Sequence, residues 1–198
     1  MIKFYNNNKS KPYTFLRKKY KEALLNNQKL IEAICISSFD TKKKQVDSRF
    51  VNLKIIDNDK FIFFTNYDSP KSKQFEQHNQ ISATIYWQSI NLQIRLKAVI
   101  NKTSVDFNKK YFEKRSSDKN ALAISSNQSQ SIESFEKVKE KFMKTRETEN
   151  LQDCPNYWGG FEFKPFSIEF WEGNDFRLNK RSLYVLENDE WKNYFLEP

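Results

Sequence analysis

Apolar residues recur first at helical spacing and then at strand spacing, and the same order returns in the second half of the chain. Between Pro12 and Leu24 the apolar positions fall on one face of a helix, and proline suits its first turn. Short runs of β-branched and aromatic residues then predict strands at 31–37, 49–56, 61–65, 81–87 and 92–100. Asp57, Asn58 and Asp59 predict a hairpin turn between the second and third strands.

A short helix is predicted from Pro70 to about Gln77, between the third and fourth strands, and the second half of the chain begins after the fifth strand. Helices are predicted at 104–114, with Ser104 as the capping residue, at 118–126 and at 132–143. A polar connection, 144–155, leads to strands at 158–163, 167–171, 182–186 and 191–196. Short connections favour an antiparallel sheet or barrel. We therefore expect a mainly β protein with flanking helices (α+β), as one domain at 12–198 behind a mobile polar segment, 1–11.

The chain has an unusually large share of aromatic side chains and a net positive charge. Aromatic residues make up 16% of the chain, with 18 Phe, whereas hydrophobic residues reach only 38%. A core of few, large side chains follows, and such chains often bury further aromatic surface between subunits. The formal charge of +9 fits a lysine-rich solvated surface as well as attraction of an anion, either nucleic acid or a phosphorylated small molecule.

Several residue types are scarce, and their scarcity restricts the chemistry. His78 is the only histidine, which disfavours a histidine-based zinc site, a Ser-His-Asp triad and a Cys-His pair. Three glycines cannot form a G-x-G-x-x-G loop, so a bound phosphate must be held by side chains. Two cysteines are too few for a disulfide framework, and no apolar run suits a signal peptide or membrane helix. We expect a cytoplasmic protein without a metal site.

Four segments offer polar side chains that a phosphorylated aromatic ligand requires, and in all but 125–129 cations and hydroxyl groups stand beside aromatic side chains. They are 48–54, 63–71, 125–129 and 156–181. The first three can also be interpreted as an exposed strand, an ordinary helix N-cap and a solvated linker. The fourth contains all three glycines, which predict positive φ or a close backbone approach, and two tryptophans followed by Arg177 and Arg181. A planar, anionic ligand suits this combination.

The ordered motifs in these segments resemble those of the pyridoxamine 5′-phosphate oxidases. The C-terminal motifs are W-G-G-F at 158–161, P-F-S-I-E-F-W-E-G at 165–173 and R-L-N-K-R at 177–181. They are preceded by S-R-F-V-N-L-K at 48–54, F-F-T-N-Y-D-S at 63–69, Gln93, Y-F-E-K-R at 111–115 and S-N-Q-S at 126–129. The resemblance covers 12–198. It implies an FMN-binding split β-barrel that works as a homodimer with flavin at the interface, without nucleic-acid or membrane partners.

The resemblance also implies roles for individual residues. FMN would be bound by Arg49, Phe50, Val51, Lys54, Phe64, Thr65, Ser69, Lys71, Gln93, Gln128, Ser129, Trp171 and Arg181. The substrate would be bound by Lys54, Tyr111, Arg115, Lys119, Arg177 and Asn179, of which Arg177 and Asn179 are the implied catalytic residues. The implied reaction oxidises pyridoxamine or pyridoxine 5′-phosphate with O2 to pyridoxal 5′-phosphate and releases H2O2. Flavin chemistry of this kind requires neither a protein nucleophile nor a metal.

Four positions depart from the family's motifs. Asn179 stands where the family has a histidine, Lys119 where it has a serine, Pro70 where it has an arginine, and Leu92 where it has the arginine of an R-Q pair. The implied FMN residues are retained better than the implied substrate residues. Two alternatives follow: a related FMN-dependent oxidase of another aromatic substrate, of the phenazine type, or a non-catalytic flavin-binding protein. The charge also allows a basic nucleic-acid binder.

Overall fold

The computed structural model describes residues 1–198 as one ten-stranded sheet with flanking helices. The strands are β1 (Lys3–Tyr5), β2 (Ala33–Asp40), β3 (Gln45–Asn52), β4 (Ile55–Asp57), β5 (Lys60–Asn66), β6 (Gln80–Trp87), β7 (Leu92–Lys102), β8 (Trp158–Glu172), β9 (Lys180–Glu187) and β10 (Glu190–Leu196). The helices are α1 (Lys11–Leu25), α2 (Pro70–Gln77), α3 (Val105–Phe112), α4 (Ser117–Ser125) and α5 (Phe135–Thr148). None of these helices is both long enough and apolar enough to cross a membrane.

The sheet is open, and the chain passes directly from one of its ends to the other. The strand order is β1-β4-β5-β8-β7-β6-β2-β3, with β9 and β10 attached to β8. Every pairing is antiparallel except that of β1 with β4, which confirms the predicted antiparallel sheet. The passage occurs at Leu53, whose N–H donates to Glu32 O over 2.8 Å, and Lys54, whose N–H donates to Ile62 O over 2.9 Å. This corner joins β3, at one end of the sheet, to β4 near the other.

Large aromatic side chains fill the core, as the composition predicted. Phe61 and Phe163 are buried and stack with their ring centroids 5.2 Å apart, and Phe63 stacks on Phe161 at 5.9 Å. The four rings belong to β5 and β8, which pair in register. Burial of one such ring stabilises a fold by about 1.5–3 kcal/mol. These phenylalanines therefore bind β5 firmly to β8.

Helix α1 packs one stripe of apolar residues against the sheet. Tyr13, Leu16, Tyr20 and Ala23 are buried at helical spacing. The ring of Tyr20 lies 5.8 Å from that of Trp87 on β6. The helical period of the sequence therefore predicted both the helix and the face that it buries.

Three of the differences between the predicted and observed elements have a clear local cause. The strand predicted at 49–56 is two strands, because the corner at Leu53 and Lys54 interrupts it. The strands predicted at 158–163 and 167–171 are one strand, β8, because a register shift between Lys97 and Ala98 lets its pairing with β7 continue. Helix α5 extends to Thr148, into the predicted polar connection, since charged residues are compatible with a solvent-exposed helix.

The polar segment 1–11, predicted to be mobile, contributes a strand to the sheet. Lys3 N–H donates to Lys54 O over 2.9 Å, and β1 pairs in parallel with β4. Ile2 is buried, and Phe4 packs against the core. Tyr5 shares the other face of β1 with Lys3, because side chains alternate along a strand. The mobility stays a prediction, but the folded domain includes β1.

The glycines permit close packing rather than an unusual backbone. None of them has positive φ, and of the two alternatives predicted for these positions the close backbone approach is confirmed. A Cβ atom at Gly159 would collide with Tyr67 and Asn108, and one at Gly160 would collide with a threonine. Left-handed backbone is adopted instead by residues such as Asn58, at φ 53° in the predicted β4–β5 turn. Asparagine tolerates this conformation, so the chain can form turns without glycine.

Candidate functional site

A cleft of about 1190 Å³ lies between the strands at the two ends of the sheet. Its walls come from β1, β3, β4 and β5, from the first turn of α2, and from α3 with the segment that follows it. Eight Lys or Arg side chains line the cleft, and Asp47 supplies its one carboxylate. Such an excess of cations in a concave site favours an anionic ligand.

One part of the cleft, which we call the Lys71 subsite, consists of Arg49, Thr65, Ser69, Lys71 and Gln128. The Nζ atom of Lys71 donates to Ser69 Oγ over 2.9 Å and to Gln128 Oε1 over 3.3 Å. Thr65 Oγ1 donates to the same Gln128 oxygen over 3.0 Å. Lys71 is buried and forms no ion pair with Asp or Glu. A buried cation that contacts only neutral groups lacks a counter-charge.

The protonation of Lys71 is affected by its surroundings. Burial, and to a smaller extent the positive charge of Arg49, lowers the pKa of Lys71 from 10.5 to about 8. Arg49 is fixed by Ser38 Oγ, 2.6 Å from Nη1, and by Gln74 Oε1, 3.0 Å from Nη2. Both cations are therefore in place before a ligand arrives. Arg49 already pairs with Asp47, so a phosphate dianion beside the two cations would supply the counter-charge that Lys71 lacks.

A second part, the Arg115 subsite, consists of an aromatic stack with a guanidinium beside it. Phe64 stacks with Tyr111 at 3.7 Å and with Trp158 at 5.2 Å, and the rings are within 12° of parallel. The guanidinium of Arg115 lies 4.4 Å from the centre of the Trp158 ring. Its Nη2 donates to Lys119 O over 3.0 Å, whereas its Nη1 is buried without a partner. An unpaired buried donor of this kind fits an anionic oxygen.

Burial also changes the pKa values of this subsite. It raises the pKa of the Tyr111 hydroxyl and lowers that of the Arg115 guanidinium. Tyr111 therefore stays protonated and can donate a hydrogen bond at neutral pH. Arg115 keeps its charge, because an arginine pKa begins far above neutrality. Both groups can bind an anion, and neither can serve as a general base.

Twelve residues predicted from the family resemblance line this cleft. They are Arg49, Phe50, Val51, Lys54, Phe64, Thr65, Lys71, Tyr111, Arg115, Lys119, Gln128 and Ser129. Ser69 is fully buried directly beside Lys71. Segments 48–54, 63–71 and 125–129 are therefore brought together, as a single ligand would require.

The cleft also contains residues that sequence reasoning missed. Lys3 and Tyr5 enter it from β1, and Lys110 and Lys114 enter it from α3 and the turn after it. A three-residue strand gives no readable period, so nothing indicated β1. The two lysines could have been found, because they are four residues apart and bracket Tyr111 on a predicted helix. Further lining residues are Asn52, Ile55, Pro70, Phe107, Ser116 and Trp158.

Three other predicted FMN residues form a row on the sheet and do not line the cleft. The register pairs Gln93 of β7 with Trp171 of β8, and Trp171 with Arg181 of β9. Directly paired residues face the same side of a sheet, so the three side chains are neighbours. Arg181 is held there by Glu169, whose Oε1 lies 2.9 Å from both Nε and Nη2. We call these three residues the sheet-face row.

Arg177 and Asn179 lie in the loop between β8 and β9, also outside the cleft. Arg177 is exposed and has φ 59°. Asn179 Oδ1 accepts the N–H of Asn174 over 3.1 Å, which fixes the loop. A single chain therefore brings the predicted phosphate-binding residues together, but it does not bring these two residues to them.

Solved structures with the same fold define the class of protein. PhzG from Burkholderia lata, solved in complex with tetrahydrophenazine-1-carboxylic acid, superposes with a TM-score of 0.89 at 23% identity, over 96% of this chain and 93% of that one. A pyridoxamine 5′-phosphate oxidase-related, FMN binding protein from Nostoc punctiforme superposes with a TM-score of 0.76 at 13% identity, over 92% and 96%. The fold is the FMN-binding split barrel, as the resemblance implied.

Sequence relatives define the family within that class. Residues 158–198 match the family described as the pyridoxine 5′-phosphate oxidase C-terminal dimerisation region. A pyridoxine/pyridoxamine 5′-phosphate oxidase from Coxiella burnetii is 34% identical over 90% of this chain and 91% of its own length. One from Colwellia psychrerythraea is 33% identical over 85% and 78%. The chain belongs to the pyridoxine/pyridoxamine 5′-phosphate oxidase family, whose members are FMN-dependent oxidoreductases.

Proposed function

We propose that this protein oxidises pyridoxine 5′-phosphate or pyridoxamine 5′-phosphate to pyridoxal 5′-phosphate, with FMN as cofactor and O2 as acceptor. The observation that carries the proposal is a single cleft with two separate cations that lack a carboxylate partner, Lys71 and Arg115. FMN and substrate each bring one phosphate. The alcohol substrate and O2 give the aldehyde and H2O2. The amine substrate also consumes water and releases ammonia.

The Lys71 subsite fits the phosphate of FMN. Lys71 and Arg49 would supply positive charge, and Thr65 and Ser69 would supply hydroxyl groups. Gln128 would exchange its present contact with Lys71 for the ligand. Bound FMN would supply the two-electron redox chemistry that the oxidation requires. The chain itself would bind and orient FMN and the substrate, and it would exclude water from them.

The Arg115 subsite fits the phosphate of the substrate. Arg115 would donate its free Nη1 to a phosphate oxygen, and the protonated hydroxyl of Tyr111 could donate a second hydrogen bond. Lys54 and Lys119 add positive charge to the lining of the same cleft. The parallel rings of the aromatic stack restrict how a flat ligand can enter. Together they would hold the substrate ring in a fixed orientation toward the flavin.

We infer that the sheet-face row serves the cleft of a second copy of the chain. It does not line the cleft of its own chain, and it includes Trp171 and Arg181 from the region that matches the dimerisation region. In a two-fold dimer, each chain would offer this row, with Arg177 and Asn179, to its partner. Each of the two equal sites would then contain residues from both chains, with FMN at the interface.

A second candidate function is FMN-dependent oxidation of a different aromatic substrate. Asn179 stands where the family has a histidine, and it can form a hydrogen bond but cannot be protonated. Lys119 replaces a serine and adds a full charge to the Arg115 subsite. Both changes affect substrate contacts and leave the Lys71 subsite intact. They favour a substrate that differs from vitamin B6 phosphates in its anionic group.

Aerobic turnover of the FMN-loaded protein tests the proposal. The protein should be yellow, absorb near 450 nm and release FMN on denaturation. With pyridoxine or pyridoxamine 5′-phosphate it should form pyridoxal 5′-phosphate and H2O2 in equal amounts. Bound FMN without product from either substrate would refute the leading proposal and support the second candidate. A colourless protein that takes up no FMN would refute both.

A further inference from the structure

Asn108 of α3 lies at the centre of a buried hydrogen-bond network beside the cleft. Its Oδ1 accepts Gly160 N–H over 2.9 Å and Thr103 Oγ1 over 2.6 Å. Its Nδ2 donates to Tyr67 Oη over 3.0 Å, and that hydroxyl donates to Gly160 O over 3.0 Å. Asn108 is only 4% exposed. The side-chain amide therefore forms hydrogen bonds through both its oxygen and its nitrogen, and they reach three different parts of the fold.

These contacts connect the two subsites. Tyr67 belongs to the turn between Thr65 and Ser69, both of which are part of the Lys71 subsite. Asn108 lies three residues before Tyr111, on the same face of α3, and Arg115 follows one turn later. The Tyr67–Asn108 hydrogen bond therefore joins the turn that would hold the FMN phosphate to the helix that would hold the substrate phosphate.

The other contacts of helix α3 with the sheet are aromatic, and they include the stacking of Phe107 and Tyr111 on Phe64. Asn108 and Phe112 are its only buried residues, and Phe112 packs edge-on against Trp158 at 4.9 Å. An apolar contact of this type permits a helix to rotate or slide, whereas the network at Asn108 requires one position. The two glycines of β8 serve the same contact, because a Cβ atom at Gly159 would collide with Tyr67 and Asn108.

We propose that Asn108 is a positioning residue that fixes α3, and with it Tyr111 and Arg115, relative to the turn at Tyr67. When a bound FMN phosphate orders the turn at Tyr67, α3 and the Arg115 subsite would become ordered with it. The substrate half of this inference rests on the proposed function. The positional half rests on the hydrogen bonds alone.

Hydrogen exchange of the FMN-loaded protein tests the positional half without any substrate. In Asn108→Ala, the backbone amides of α3 should exchange about tenfold faster than in the wild type, while those of β6 and β7 stay protected. FMN should slow exchange in α3 of the wild type and have little effect on α3 in the variant. Tyr67→Phe, which removes only the hydroxyl, should show the same pattern in weaker form. Unchanged exchange of α3 in both variants would overturn the inference.

Kinetics test the substrate half. Asn108→Ala should raise KM for the phosphorylated substrate about tenfold, with a smaller change in kcat and FMN still bound. Ile94→Ala is the matched control, because Ile94 is fully buried in β7 and does not line the cleft. It should lower thermal stability and leave KM unchanged. An equal rise of KM in the control would show that Asn108 acts through general stability, which would refute a positioning role.

The two measurements separate failure of this inference from failure of the proposed function. Faster exchange of α3 in Asn108→Ala, with no turnover even by the wild type, would refute the proposed substrates and retain the positional role. Normal turnover by the wild type, with exchange of α3 unaffected in both variants, would retain the proposed function and refute the positioning role.

Discussion

FMN binding should weaken as pH rises from 7 to 9, because Lys71 loses its proton in this range. With a pKa of about 8, its ammonium group is about 90% protonated at pH 7 and about 10% protonated at pH 9. The phosphate of FMN has its second pKa near about 6, so the ligand keeps its charge over this range. If the phosphate requires the ammonium form, the affinity should fall about tenfold between these two pH values.

Fluorescence titration of FMN at pH 7, 8 and 9 measures this slope. Lys71→Met should remove the slope and weaken binding at pH 7 by about 10–150-fold, the equivalent of a charge-assisted hydrogen bond of about 1.5–3 kcal/mol. Lys71→Arg should also remove the slope, because its guanidinium stays charged at pH 9. Lys73→Met is the matched control, since Lys73 lies exposed on the same helix. Riboflavin, which lacks the phosphate, should show no slope with the wild type.

Two outcomes would contradict this reasoning. One is a wild-type affinity that stays constant from pH 7 to 9. The other is a slope that persists in Lys71→Met, since another group would then be titrating.

A further measurement comes from the FMN-free protein. The folded-state pKa of Lys71 is below its unfolded value, so the unfolded chain binds more protons between pH 8 and 10.5. The free energy of unfolding should therefore rise with pH in that window, and Lys71→Met should abolish the rise in urea denaturation.

Three shorter predictions concern the rest of the site. Arg177→Ala should lower turnover strongly while FMN stays bound, and unchanged turnover would show that the loop does not reach the substrate. Lys3→Ala should raise KM for the phosphorylated substrate, whereas Lys9→Ala, exposed and outside the cleft, should not. If the site is shared between chains, and if Lys71→Met and Arg181→Ala are each inactive at limiting FMN, mixing the two variants should restore about a quarter of wild-type activity, because half of the dimers contain one intact site. No recovery after verified subunit exchange would place both residues in the site of one chain.

Local sequence patterns predicted most of the fold. Helix α2 has the predicted bounds, Pro70–Gln77, because proline and the following turn residues define its start. The Ser104 cap of α3 is confirmed by its hydrogen bond from Phe107 N–H over 3.3 Å. What the pattern could not predict is pairing between distant segments. The parallel pairing of β1 with β4 depends on backbone groups more than fifty residues apart, and no side-chain period encodes it.

The candidate site could be predicted by residue type and order, but not by position in space. Twelve predicted residues meet in one cleft, because the corner at Lys54 brings the ends of the sheet together. The sheet-face row could not be found from sequence, because it depends on the register that pairs β7 with β8 and β8 with β9. The Asn108 network was also missed. A lone asparagine on a helix becomes informative only when its partners, Tyr67 and Gly160, are known.

The distribution of charge decides between the two interpretations of a net charge of +9. The chain has 34 Lys and Arg against 25 Asp and Glu, and the cleft alone contains eight of the former and one of the latter. The cleft therefore accounts for +7, and the remaining surface is nearly balanced at +2. A nucleic-acid binder would require its cations along an extended surface that follows the phosphate backbone. Concentration of the charge in one cleft instead favours small phosphorylated ligands, and two phosphates of about −2 each would neutralise most of it.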